Sequence, residues 1–245
     1  MKQSQKILIG VGAGVVVLAV AAAIAGPVIY RDLIAGPAAD APSLASEPSS
    51  PGSPDQTAES DAGVAELDPR FLVGGWSVTD GSEAGYRVDE VLNGTDVTVT
   101  GRTDDVTGTF TIDDTGLTLT AAELTVDVAS IETDSANRDA YFRDEALRTD
   151  EFPEAAFVLA EPVTLERAPA SGDVVQTEAT GELTIAGQTR TVTAAIEVRS
   201  DGTTAEIAGS IPITFSDFGV EAPDLGFVSV EDSGAVEFQL TAAKS

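Results

Sequence analysis

The sequence predicts an all-β fold, antiparallel throughout, with one short helical insertion, carried behind an apolar N-terminal segment and a loose linker. Three observations predict it. From about Phe71 onward, apolar residues recur at every second position, the period of a strand with one face buried. Turn-forming pairs interrupt that alternation at short intervals. A single stretch, Ser135 to Leu147, departs from period two and takes helical spacing.

The N-terminal segment comes first. Ile7 to Ile29 is uncharged and rich in Val, Ala and Gly, long enough to span a bilayer. Lys2 and Lys6 precede it, and Arg31 behind it is balanced by Asp32. The positive-inside bias therefore places the N-terminus in the cytoplasm and the rest outside. The expectation is a single-pass signal anchor in a bacterial cell membrane, spanning residues 1–31. The alternative is secretion after cleavage, because Ala23-Ile24-Ala25 before Gly26 has the small-x-small form of a signal-peptidase site. Residues 32–65 form the expected linker. It carries Pro37, Pro42, Pro48, Pro51 and Pro54 among Ser, Ala and acids, and has too little apolar surface to fold, so it is expected to be disordered.

Residues 66–245 form the expected folded domain. Alternation runs through Val97–Thr100, Thr107–Ile112, Leu117–Thr120, Leu124–Val128, Leu183–Ile185, Val192–Val198, Ile211–Phe215 and Val236–Leu240. Asn93-Gly94, Asp114-Thr115-Gly116, Asp201-Gly202 and Ser233-Gly234 read as the turns between strands. Asn93-Gly94-Thr95 also spells a glycosylation acceptor, but a hairpin turn explains it. In the exceptional stretch, Ser135 or Asn137 can cap a helix that presents Tyr141, Phe142, Ala146 and Leu147, and Pro153 ends any continuation. About eight to ten short strands fit either a sandwich or a closed barrel, and alternation does not choose between them.

Composition narrows the function. The formal net charge is −28, with only three lysines in the chain. Such a chain is unsuited to nucleic acid, and equally to an anionic leaflet. Cysteine and histidine are both absent. Disulfides, thiolate nucleophiles and the usual zinc ligands go with them, and general acid–base chemistry loses its commonest side chain. Asp134, Asp139, Asp144 and Asp150 lack the glycine-centred loop of a calcium site and read as a solvated acidic face. No catalytic residue, metal or cofactor is expected.

Several motifs resemble the YceI-like family of lipid- or polyisoprenoid-binding barrels. They are Trp76-Ser77-Val78, Tyr86-Arg87-Val88 and Val106-Thr107-Gly108-Thr109-Phe110. The most specific run is Val126-Asp127-Val128-Ala129-Ser130-Ile131-Glu132-Thr133, then Asn137-Arg138-Asp139, then Phe152-Pro153 and Phe157. Gly181 to Arg190 resembles the family's G-x-L-T-I-x-G-x-T hairpin, and Ser216-Asp217-Phe218-Gly219-Val220 its D-F-G segment. The chain departs from that pattern at Ala186, where many members carry His, and at Phe215 and Ser216, where many carry Arg.

The resemblance implies a lipocalin-like antiparallel barrel of about eight strands, with the helix at one mouth. It also implies an apolar tunnel for a long ligand: a polyisoprenoid, a quinone or a fatty-acyl lipid. The residues expected to line it are Phe110, Leu119, Val126, Phe157, Ile185, Ile196, Phe215 and Phe238 on strands, and Tyr141, Phe142 and Leu147 on the helix. Phe218 and Phe227 flank a loop at the same mouth, and Trp76 is expected to plug a barrel end. Arg138 and Asp139 are read as structural, one pairing with a carboxylate and the other favouring the helix N-terminus. The rival functions are a cell-envelope structural or protein-interaction domain, and a hydrolase or isomerase built on paired carboxylates.

Overall fold

The computed structural model describes residues 38–44, 67–167, 169–226 and 228–245. The N-terminal apolar segment, most of the linker and Phe227 lie outside those residues. Among the described residues no helix is long and apolar enough to cross a membrane.

Among the described residues, eleven strands form one antiparallel sheet. They are β1 (Gly74–Val78), β2 (Glu83–Leu92), β3 (Thr95–Thr103), β4 (Val106–Ile112), β5 (Thr118–Asp127), β6 (Glu154–Leu159), β7 (Val163–Thr164), β8 (Val175–Ile185), β9 (Gln188–Ser200), β10 (Thr204–Thr214) and β11 (Val228–Lys244). Eleven strands make a barrel of eight staves because three staves are broken. β1 and β2 run in one direction along β11, pairing Trp76 with Lys244 and, further on, Ala84 with Phe238. β4 and β3 lie beside them as a second bent stave, and β6 with the two-residue β7 makes a third. The ring closes where β1 and β2 meet β11.

Local chemistry makes the bends. Between β1 and β2, Gly81 takes a φ of +87°. There Ser82 Oγ donates to the Thr79 carbonyl (2.7 Å) and accepts from Thr241 N–H (3.0 Å). Between β3 and β4, Thr103 Oγ1 accepts from Asp105 N–H (3.0 Å). Asn93 and Gly94 both have positive φ, the form of a two-residue hairpin whose twist suits its strands. Asp201 accepts the N–H groups of Thr204 and Thr203, and these bonds hold its carboxyl down at about 2.

One expected turn is not a turn. Ser233-Gly234 lies inside β11, beside a register shift between Val230 and Gly234, which marks a bulge. Glycine is needed there for space: a Cβ would sit 2.6 Å from the Arg87 carbonyl and 2.7 Å from the Phe215 ring. Likewise, the two expected runs around Thr118–Asp127 form a single strand, β5.

Beyond Asp127 the stave between β3 and β6 is replaced by the helical insertion. Asp127 accepts from Ala129 N–H (2.9 Å) and caps a 3-10 turn, Val128–Ser130. The chain then bridges β3 through Arg102 and Glu132, and enters α1 (Ala136–Tyr141) and a π-helical turn (Phe142–Ala146). Ser135 is the N-cap, though its side chain makes no capping bond. Asp139 is buried and accepts from Thr133 Oγ1 (2.6 Å) and Thr133 N–H (3.0 Å), tying the helix to the segment before it.

Residues 38–44, part of the expected disordered linker, lie against the outer wall. The Ala39 carbonyl accepts from Arg87 Nη2 on β2 (2.6 Å). Ser43 Oγ and Leu44 N–H both donate to Glu197 on β9 (2.9 and 2.7 Å). Leu44 is buried. Composition missed this because a polar segment with one Leu cannot form a core, yet it can dock on one already formed.

Candidate ligand cavity

The alternation of each strand sends one set of side chains inward, and these enclose two adjoining chambers. The inner chamber, about 230 Å³, is lined by Phe110, Leu119, Val126, Phe157, Ile185, Ile196 and Phe238, with Trp76 and Leu72 at its end. Thr177 and Ser200 are the polar side chains in its lining. Trp76 is 3% exposed, and its indole N–H donates to the Leu72 carbonyl (2.9 Å), so a polar group in an apolar end is satisfied. The outer chamber, about 470 Å³, is lined by Tyr141, Phe142, Leu147, Phe215 and Phe218, together with Tyr86, Val88, Leu92, Ile131 and Val228. Ala84, Val126, Ala155, Ile185 and Val236 border both chambers. The eleven side chains expected to line the tunnel, and Phe218 at its mouth, thus face one or the other chamber. The structure also adds Ala84, Ala155 and Val236, small or unremarkable residues whose position only barrel closure reveals.

The size suits an elongated occupant. The chambers together hold about 700 Å³, within the range of roughly 300–1,000 Å³ for small-molecule sites. Inward residues run from Leu92 to Ala84 on β2 and continue from Phe238, the partner of Ala84, to Ala242 on β11. At ~3.4 Å per residue and a stave tilt of ~40°, that lining covers roughly 30 Å along the axis.

Charged groups border the outer chamber alone. Glu90 points inward from β2 and is 6% exposed. Arg138 Nη2 donates to it (3.2 Å), while Arg138 Nη1 pairs with Asp134. Burial opposes the charge on Arg138, but Glu90 and Asp134 outweigh it and raise the guanidinium's pKa. Asn137 and Glu221 complete the polar border. Tyr86 stacks on Phe142, ring centroids 4.9 Å apart and planes 14° apart. Burial pushes its phenol up to about 12. Arg138 is therefore already neutralised by two carboxylates, and a bound anion would meet Glu90 and Glu221.

A second charged cluster lies outside the cavity. Glu237 alternates with the inward Val236 and Phe238, so it faces outward, yet it is 2% exposed. Arg87 (2.6 Å) and Arg102 both pair with it. In the register Glu237 lies beside Gly85, and Gly85 beside Arg102, so Arg102 reaches across a strand that has no side chain there. This cluster holds the outer wall and takes no part in the cavity.

The model of the YceI-like domain matches residues 76–242, from the tryptophan at the inner end to the last inward residue of β11. The chain belongs to the YceI-like family. Among solved structures, this YceI-like chain is similar to a polyisoprenoid binding domain from Saccharophagus degradans implicated in plant cell wall breakdown. The two are 18% identical with a TM-score of 0.56, covering 69% of this chain and 98% of that one. BcnA of Burkholderia cenocepacia is 25% identical over 65% of this chain and 95% of its own, with a TM-score of 0.49. The YceI protein of Campylobacter jejuni is 22% identical over 59% and 84%, with a TM-score of 0.43. No curated protein matches. Where the family motifs often carry His and Arg, this YceI-like chain has Ala186, buried in the core beside a hairpin turn, Phe215 in the outer chamber, and Ser216 bonded to Asp232. Its polar border is built instead from Glu90, Asn137, Arg138 and Glu221.

Proposed function

We propose that this YceI-like barrel binds or carries a long apolar ligand, a polyisoprenoid, quinone or fatty-acyl lipid, outside the cytoplasmic membrane and without catalysing a reaction. The observation that carries the reading is the pair of adjoining apolar chambers inside a closed barrel. Burial of apolar surface yields roughly 25 cal/mol per Å², so several hundred Å² supply on the order of 10 kcal/mol before ordering costs. Affinity of that kind needs few polar contacts, which suits a lining whose inner half offers only Thr177 and Ser200. The description of the Saccharophagus degradans domain as polyisoprenoid-binding favours the same ligand class. The apolar tail enters first, and the head rests among Glu90, Asn137 and Arg138. Because that border has a surplus of carboxylates, an uncharged head such as a quinone or alcohol is preferred over a phosphate. The apolar run Ile7–Ile29, read as an anchor, would keep the barrel near membrane ligands.

Native mass spectrometry of the full chain, purified from its host and transferred to lipid-free detergent, tests the proposal. A discrete added mass that extracts into organic solvent as an isoprenoid or acyl lipid is expected. A clean unliganded mass that does not change when polyprenol, quinone and fatty acid are offered would overturn it.

A further inference from the structure

We infer that the cavity has a waist that selects ligands by tail length, and that Ala84 and Ala155 are the residues that keep it open. The inference rests on the lipid-binding reading above and names which lipids the site prefers.

The argument starts from register. Val126 on β5 lies opposite Ala155 on β6, and both face inward. Across the barrel, Ala84 of β2 pairs with Phe238, and Val236 of β11 pairs with Tyr86. Ala84, Ala155, Val126, Ile185 and Val236 border both chambers, so the boundary between them is a ring in which two of the five side chains are single methyl groups. Larger side chains stand on either side: Phe157 and Phe238 in the inner chamber, Tyr86 and Phe142 in the outer. A small residue at the one level where large neighbours converge leaves a gap a flexible chain can thread and a bulky group cannot. A short tail is satisfied within the outer chamber. A long one continues through the waist and buries further surface against the inner chamber, ending near Trp76. Affinity should therefore rise with tail length only while the waist is open.

The test uses the full chain and two benzoquinones with the same head, one with a geranyl and one with a solanesyl tail. The unmodified protein is expected to bind the solanesyl compound at least ~10-fold more tightly. In Ala155→Phe, and independently in Ala84→Leu, the ratio of solanesyl to geranyl affinity should fall from at least ~10 to about 3 or less. Trp76, the one tryptophan of the chain, lines the inner chamber and supplies a second readout. A stearyl alcohol carrying bromine, a quencher no bulkier than a methyl group, at its free end should quench Trp76 in the unmodified protein and not in the plugged variants. Plugged variants that weaken both quinones equally, or neither, would overturn the waist. Should the added bulk prevent folding, Val236→Ala widens the ring without adding volume. It should speed solanesyl uptake more than geranyl uptake, and equal changes in both would overturn the inference. If the unmodified protein binds neither quinone, it is the lipid-binding reading itself that fails.

Discussion

Glu90 and Arg138 show how much a single pair decides here. A carboxylate on the inner face of an apolar barrel is tolerable only with a partner, and Arg138 supplies one while Asp134 holds the guanidinium from its other side. Removing one member of a buried pair strands the other. Arg138→Met is therefore expected to destabilise the protein by about 2–3 kcal/mol, at the low end because the guanidinium is partly exposed. Adding Glu90→Gln should restore much of that loss. Urea unfolding of the two single variants and the double variant checks both statements. Tyr86 is the pH-sensitive residue of the same site. Its phenol is raised from 10.0 to about 12, chiefly by burial, so the native state favours the protonated form. The stability this gives is complete below pH 10 and is lost as pH rises toward 12. Tyr86→Phe should remove that part of the alkaline decline in Tm while changing Tm little at neutral pH. An unchanged alkaline decline would assign it to other groups.

Among the elements, the segment 38–44 departs most from what its composition suggests. Ala39 is held at β2 and Leu44 at β9, with β11 and β10 between them. Three inter-strand spacings amount to ~14 Å, and five extended residues reach ~17 Å, so the segment can cross four strands nearly straight. Along its path Ala208 is wholly buried although it faces outward beside Glu197 in the register. The segment therefore acts as a strap over the closing side of the barrel. Leu44→Ala is expected to cost about 2 kcal/mol and to increase proteolysis around residues 38–44. Unchanged cleavage would show that the strap is held by Glu197 and Arg87 alone. The helical insertion plays the complementary part on the opposite side. It fills a missing stave, which is why its apolar residues can border a cavity and the core together.

The whole molecule separates charge from function. The chain's net charge is −28, yet among the described residues no charged side chain lines the inner chamber, whose lining is almost free of polar groups. Binding driven by apolar burial should be nearly indifferent to salt. The affinity for an uncharged isoprenoid is expected to change less than about 2-fold between low salt and roughly 1 M, whereas screening would steeply weaken a charge-steered ligand. Isothermal titration across that range checks it. A steep fall would move the binding site from the cavity to the charged exterior.

By itself, the sequence determined the local and the periodic. Alternation located most strands, Asn93-Gly94 and Asp201-Gly202 located turns, and the break in period two located the helix. Alternation gave each strand an apolar face, and the resemblance to a family of barrels with an apolar tunnel is what implied that such residues line a cavity. These features depend on residues a few positions apart, where sterics and burial act without reference to the rest of the chain. What only the tertiary structure decided depends on residues far apart. Ser233-Gly234 reads as a turn locally, but it is a bulge because Arg87 and Phe215 crowd it from other strands. Ala84 and Ala155 carry no signal in the sequence, since an alanine matters only when the opposite wall comes within reach of it. The partner of Glu237, the docking of residues 38–44 and the open interior all follow from β1 and β2 meeting β11. That closure joins the two ends of the domain, and no pattern within either end encodes it.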